Sequence, residues 1–326
     1  MNFFFKFEVS PKKVDLKRRF ALIFLCLLYG YVMMINSYVD HIAYLRYAES
    51  SDLHFFFNYE TGFFRFVFNE PLWLLINIGL GIFFEPEDVI RAISFFSSSL
   101  LAYSALRAYP RWWVVIILLL LLPQVIRYQV TGFRQGVAIA LFVWAWFHLA
   151  GWKKLSVFVL LPFIHSSYFI ILSLLALTWL LRSIRFAPDL KTVTYVVAGI
   201  AVGLGLGVSA ELLGARQGAQ YAFEPTDVSG LGFLLWVMIL GIMLSAGKTW
   251  LRDHAFESGV VIFYLVTYWL IEVTARIFES GLVVVLLAGL SLRGWRRQAF
   301  LGIVLGAGAL AWVLRIGRPA LGFAGG

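Results

Sequence analysis

The chain is poor in cysteine and in charge, and each shortage excludes a class of protein. Its one cysteine, Cys26, lies in the first apolar run of 326 residues. No disulfide can form within the chain and no cysteine-based metal site is available, so Cys26 reads as a small buried apolar residue. Charged residues make up 14%, where a soluble chain carries about 25%. No soluble domain, polar linker or internal repeat is evident. The ten-residue alternation of an outer-membrane barrel is also missing. The net charge of +9 is dispersed in short groups beside apolar runs, as the positive-inside rule expects, and no DNA- or RNA-binding motif accompanies it. Nucleic acid is therefore not an expected partner. No small-residue cleavage pattern follows the first apolar run, which is expected to be a retained span and not a leader peptide.

What is present is apolar length. Hydrophobic residues make up 61% of the chain, and several runs exceed the ~18 residues that mark a bilayer-spanning helix. The expected fold is all-α: one polytopic helical membrane domain over residues 1–326 with about ten or eleven membrane segments. Lys12, Lys13, Lys17, Arg18 and Arg19 assign the N-terminus to the cytoplasm. A first span then covers residues 19–38, and an external, aromatic loop covers 39–69. Residues 70–84 open with Glu70-Pro71, a good helix start, but are shorter than the ~20 residues a crossing needs. Read as a re-entrant or interfacial helix, they bring the basic groups Lys153-Lys154, Arg182/Arg185 and Lys248/Arg252 all to the inside.

The remaining spans are expected within 88–314. Residues 112–125 cross outward and 136–150 return. Residues 155–181 are too long for one span and too short for two, with Pro162 and His165-Ser166-Ser167 at their middle. They read as a broken helix with a polar apex, a shape tolerated only when buried in protein or lining a wet cavity. A second external loop covers 214–230. Arg315 and Arg318 fall outside and break the charge pattern. Gly203-x-Gly205-x-Gly207 follows no strand and reads as close helix packing. The run from Gly241 to Gly247-Lys248-Thr249 has the wrong spacing for a phosphate-binding loop.

Four arginines map to the outer side: Arg127, Arg134, Arg216 and Arg276. Arginine suits a bidentate grip on phosphate or carboxylate, although such residues can equally meet lipid headgroups. Arg134 sits in Thr131-Gly132-Phe133-Arg134-Gln135-Gly136 at a helix start. A cation there opposes the helix dipole and calls for an anion or a carboxylate beside it. Arg276 follows Glu272 by four residues, a spacing that an ion pair alone explains. His165 is the histidine with hydroxyls directly after it in an apolar run, and a neutral imidazole there can take a proton from an attacking hydroxyl. Ser166 as a nucleophile has no partnering acid in the sequence. Glu70 and Asp40 are the acidic candidates: either would orient His165, act as the base, or position an acceptor hydroxyl, and Glu70 would alternatively cap its helix.

Together, Asp40-x-x-x-Tyr44, Glu70-Pro71, Arg134-Gln135-Gly136-Val137-Ala138 and Phe163-Ile164-His165-Ser166-Ser167 resemble the EpsG family of Wzy-like exopolysaccharide polymerases. The likeness is clearest over residues 40–181, and Arg216 with Tyr221 and Arg276 are similar to the family's later positions. The resemblance implies glycosyl transfer at the outer face of the bacterial inner membrane, joining polyprenyl-diphosphate-linked oligosaccharide repeat units with no cofactor and no metal. It implies diphosphate binding by Arg134, Arg127, Arg276 and Arg216, and catalysis by His165, Glu70 and Asp40. Substrate would be positioned by Gln135, Ser166, Ser167, Tyr44 and Tyr221. The lipid bilayer, a flippase and a chain-length regulator are the partners it suggests. Two other classes compete: a transporter or flippase of a lipid-linked or anionic solute, which also uses broken helices, and an acyltransferase using His165.

Overall fold

A computed structural model describes residues 16–35, 41–184, 188–212, 230–271 and 273–315. Every regular element among them is helical, and the protein is an all-α, multi-pass membrane protein. By length and composition, Pro86–Ala108 and Trp295–Leu314 can cross a bilayer, and the bent pair Pro110–Leu120 with Pro123–Val130 forms a third candidate. Six shorter apolar helices accompany them. The Pro71–Gly81 helix has 11 residues. At ~1.5 Å per residue it reaches about half of the ~30 Å hydrocarbon thickness.

The chain packs into two units: Met1–Thr61 with Glu70–His165 and Ala311–Gly326, and Gly62–Asn69 with Ser166–Leu310. At the centre of the first unit stands Pro86–Ala108, packed most extensively on Leu16–Ile35 and Phe133–His148. Its inner face is lined with small hydroxyls, and they meet a single glutamine. Ser94 donates to the Gln129 carbonyl at 3.0 Å, while Ser97 and Ser98 donate to Gln129 Oε1 at 3.3 and 2.9 Å. Buried polar groups in an apolar frame are tolerated when partnered in this way.

The run from 112 to 125, expected to cross in one piece, is broken. Helices Trp113–Leu120 and Pro123–Val130 meet at a bend of 75°. Pro123 has no N–H to donate, and it holds Leu122 in extended backbone (φ −61°, ψ 137°). The carbonyls at the break find side-chain donors instead. Tyr29 donates its hydroxyl to Leu120 O at 3.0 Å, and Trp312 donates Nε1–H to Leu121 O at 2.9 Å. The loop expected over 39–69 is largely helical, with His41–Thr61 kinked at Ser50 and Phe63–Phe68 following.

In the second unit, Ala255–Thr267 and Thr274–Gly289 are buried along nearly their whole length. Ser167–Ser183 packs on both, with a Ser167–Ser280 hydroxyl pair at 2.7 Å and Tyr168 donating to Ser280 O at 3.0 Å. Pro188–Leu212 packs on Ala255–Thr267. A Cβ at Gly203 would stand 2.8 Å from the Leu270 side chain, so this glycine serves close packing.

Candidate active site

The site is built in the first unit from three short structural decisions. The first is at Glu70. Its backbone is left-handed (φ 58°, ψ 54°), the one such non-glycine residue among those described. An L-residue pays about 1–2 kcal/mol there, and strain of this kind persists where the surroundings over-determine it. Pro71 starts the next helix immediately after this turn. No side-chain cap bond is made at that helix start.

The second decision is at Gly136. A Cβ there would fall 2.2 Å from the Tyr128 carbonyl oxygen, so only glycine lets Phe133–His148 approach Pro123–Val130 this closely. That approach fixes the first turn of Phe133–His148, which carries Arg134. The third is the end of Gly151–Leu160. Pro162 forces one turn of 3₁₀ helix, Leu161–Phe163, and the chain leaves it at Ile164 and His165. This turn packs against both Pro71–Gly81 and Phe133–His148, which carries the imidazole to Glu70.

Glu70 consequently joins residues far apart in sequence. One carboxylate oxygen accepts from Arg134 Nη1, and the other pairs with His165 Nδ1 at 3.0 Å. The Glu70 and Arg134 side chains are only 6% and 14% exposed, and that of His165 is 11% exposed. A carboxylate has no proton to give, so His165 Nδ1 is the donor, and a ring protonated at Nδ1 alone carries its lone pair on Nε2. The guanidinium also lies over two phenol rings, 5.9 Å from the centroid of Tyr44 and 5.5 Å from that of Tyr47. Tyr44 is held edge-on to Phe133 at 4.9 Å and to Trp73 at 6.0 Å, within a buried cluster completed by Leu74, Val89, Ile90 and Ile93. Arg134 Nε is buried and has no hydrogen-bond partner.

The other expected site residues are distributed as follows. Gln135 is buried next to Arg134 on the same helix. Arg127 is half-buried on Pro123–Val130, in the same unit. Ser166, Ser167 and Arg276 belong to the second unit, where Ser167 is engaged with Ser280 and Arg276 is exposed on Thr274–Gly289. Asp40, Arg216 and Tyr221 lie outside the described residues. Among the described residues no group of three or more His, Cys, Asp or Glu is gathered as metal ligands. Tyr47 is the participant that the motif reading omitted. Its signal was available, since Tyr44 and Tyr47 are three apart and share one helix face.

The EpsG family profile matches residues 13–290. The chain belongs to the EpsG family. That match takes in all of Glu70, Arg134 and His165 and continues through most of the second unit. No curated protein and no solved structure matches the chain. Membership associates this membrane protein with exopolysaccharide polymerisation of the EpsG type.

Proposed function

We propose that this protein is a membrane glycosyltransferase that polymerises polyprenyl-diphosphate-linked oligosaccharide repeat units at the outer face of the inner membrane, with its N-terminus in the cytoplasm. The observation that carries the reading is the buried Glu70 carboxylate joined at once to Arg134 and His165. The acceptor sugar hydroxyl attacks the anomeric carbon of the donor unit. The new C–O bond forms as the bond from that carbon to the diphosphate oxygen breaks, and the diphosphate departs with the electron pair. His165 Nε2 takes the hydroxyl proton, while Glu70 holds Nδ1–H and steadies the imidazolium that forms.

Arg134 supplies fixed positive charge where the leaving diphosphate gains negative charge. Its unmet, buried Nε donor suits an anionic oxygen, and the Tyr44 and Tyr47 rings keep the guanidinium in place as ligand exchanges. Arg127, Arg216 and Arg276 are proposed as further diphosphate contacts. Asp40 is proposed as a second acidic group, and Gln135, Ser166, Ser167 and Tyr221 as positioning residues. A flippase and a chain-length regulator are the proposed protein partners.

Complementation in a strain lacking the gene tests the reading. Wild type restores high-mass polysaccharide. Arg134→Ala reaches the membrane but leaves single lipid-linked repeat units on the outer leaflet. Accumulation of those units on the inner leaflet would instead identify a flippase.

A further inference from the structure

The second unit contains a cavity of about 300 Å³ that the proposed chemistry does not use. Three cations surround it: Lys191 from Pro188–Leu212, and Lys248 and Arg252 from the short Lys248–Asp253 helix. Lys248 and Arg252 are exposed and Lys191 is half-exposed. The only acidic group paired with any of them by an ion-pair distance among the described residues is Asp253, an exposed neighbour of Arg252 at 3.5 Å. Such a pair is weak in water, so the cavity mouth retains a surplus of positive charge.

The rest of the wall is of two kinds. Leu244 and Ile262 contribute apolar surface, and Tyr195 and Ser258 lie at the buried end. Tyr195 is fixed there by a 2.6 Å bond with Thr178 and by the ring's closeness to Gly259, where a Cβ would stand 2.6 Å away. The buried Ser258 hydroxyl has no hydrogen-bond partner. The cationic corner is itself held in place: Arg182 donates to the carbonyl of Arg252, and to that of Asp253 at 3.2 Å. The end of the short helix that carries Arg252 is therefore braced.

We infer that this cavity is a binding site for the phosphate of an anionic phospholipid, separate from the residues proposed for catalysis. Lysine and arginine around a small cavity recognise phosphate. The apolar wall between membrane helices favours a headgroup whose acyl chains continue along the helices over a soluble anion. The charge pattern of the sequence assigns the Lys248–Arg252 corner to the cytoplasmic side, where basic pockets between membrane helices take acidic headgroups.

The test uses the full-length protein in detergent micelles, with phosphatidylglycerol and phosphatidylcholine offered separately and bound lipid counted by native mass spectrometry. Wild type should retain phosphatidylglycerol in preference to phosphatidylcholine. The surface variants Lys248→Gln and Arg252→Gln should each lower that retention about fivefold, with their combination roughly 25-fold lower. Ser258→Ala tests the buried wall without changing charge. Inorganic phosphate alone should neither raise the melting temperature nor displace the lipid. Equal retention of the two lipids, or unchanged retention in the folded double variant, would overturn the site. Stabilisation and lipid displacement by inorganic phosphate would overturn the lipid assignment in favour of a soluble anion. None of these outcomes depends on polymerisation.

Discussion

Glu70 and His165, 95 residues apart, share a 3.0 Å hydrogen bond between Oε1 and Nδ1. The same carboxylate faces Arg134, so one buried acid both sets the tautomer of the base and holds the guanidinium in place. Glu70→Gln keeps the size and can still meet Nδ1, but it removes the charge that stabilises an imidazolium. We expect polymerisation to fall by about 10²-fold or more, within the range for losing general acid–base assistance. Lipid-linked repeat units in a purified system, followed by product length, provide the measurement.

Glu70→Ala should act on stability as well as on rate. It leaves the Arg134 guanidinium buried beside two rings with neither a counter-charge nor an acceptor, whereas Gln keeps the volume and one acceptor oxygen; breaking a buried pair from one side costs about 3–5 kcal/mol. A melting-temperature drop well beyond that of Glu70→Gln is the expected result. Equal melting temperatures for the two variants would show that the lost charge alone, and not the lost volume and acceptor, sets the cost.

Arg134→Lys separates charge from geometry. Lysine retains the positive charge but cannot present a fork to the carboxylate and an anionic oxygen together. It also gives a weaker stack on Tyr44 and Tyr47. Loss of about 10²-fold in rate with near-normal stability is expected, on the scale of losing one transition-state donor. Tyr47→Leu should cost less, about 1 kcal/mol through the cation–π contact, read as a lowered melting temperature.

Gly136→Ala places a methyl group where the Tyr128 carbonyl now lies, at 2.2 Å from the new carbon. Backbone must move, at a typical cost of about 1–3 kcal/mol. Because that contact seats the first turn of Phe133–His148, activity should fall although no catalytic atom is changed. A variant with wild-type melting temperature and rate would refute this role for the glycine.

The break between Leu120 and Pro123 offers a test within the membrane frame. Tyr29→Phe or Trp312→Phe removes the side-chain donor to one carbonyl. At Leu120 the acceptor is buried and leaving it unmet costs about 1–3 kcal/mol; the Trp312–Leu121 bond is exposed and its loss costs less. Each variant should melt earlier, and the double variant earlier still, because the two carbonyls are separate debts.

Several of these features were legible in the sequence. Apolar runs of bilayer length implied helices and a membrane. Glu70-Pro71 marked a helix start, and Pro162 before His165 marked the break that the structure places at Leu161–Phe163 and the residues after it. A cation at the helix start, Arg134, called for an anion or a carboxylate beside it, but nothing in one-dimensional spacing selects Glu70 for that place: the pairing arises because one 3₁₀ turn packs on two helices at once. The left-handed backbone at Glu70 was equally hidden, since glutamate carries no preference for it. The 75° bend at Pro123 lies at the end of an unbroken apolar run over 113–122, which by itself suggested one continuous span. Its cause was in view, but the compensating donors, Tyr29 and Trp312, are remote in sequence.

The most direct measurement is the product length made by purified wild type and His165→Ala in liposomes supplied with polyprenyl-diphosphate-linked repeat units. Wild type should produce a ladder of polymer with release of polyprenyl diphosphate. His165→Ala, folded and membrane-inserted, should bind the donor but leave it as single units. A normal ladder from the folded His165→Ala protein would contradict the account.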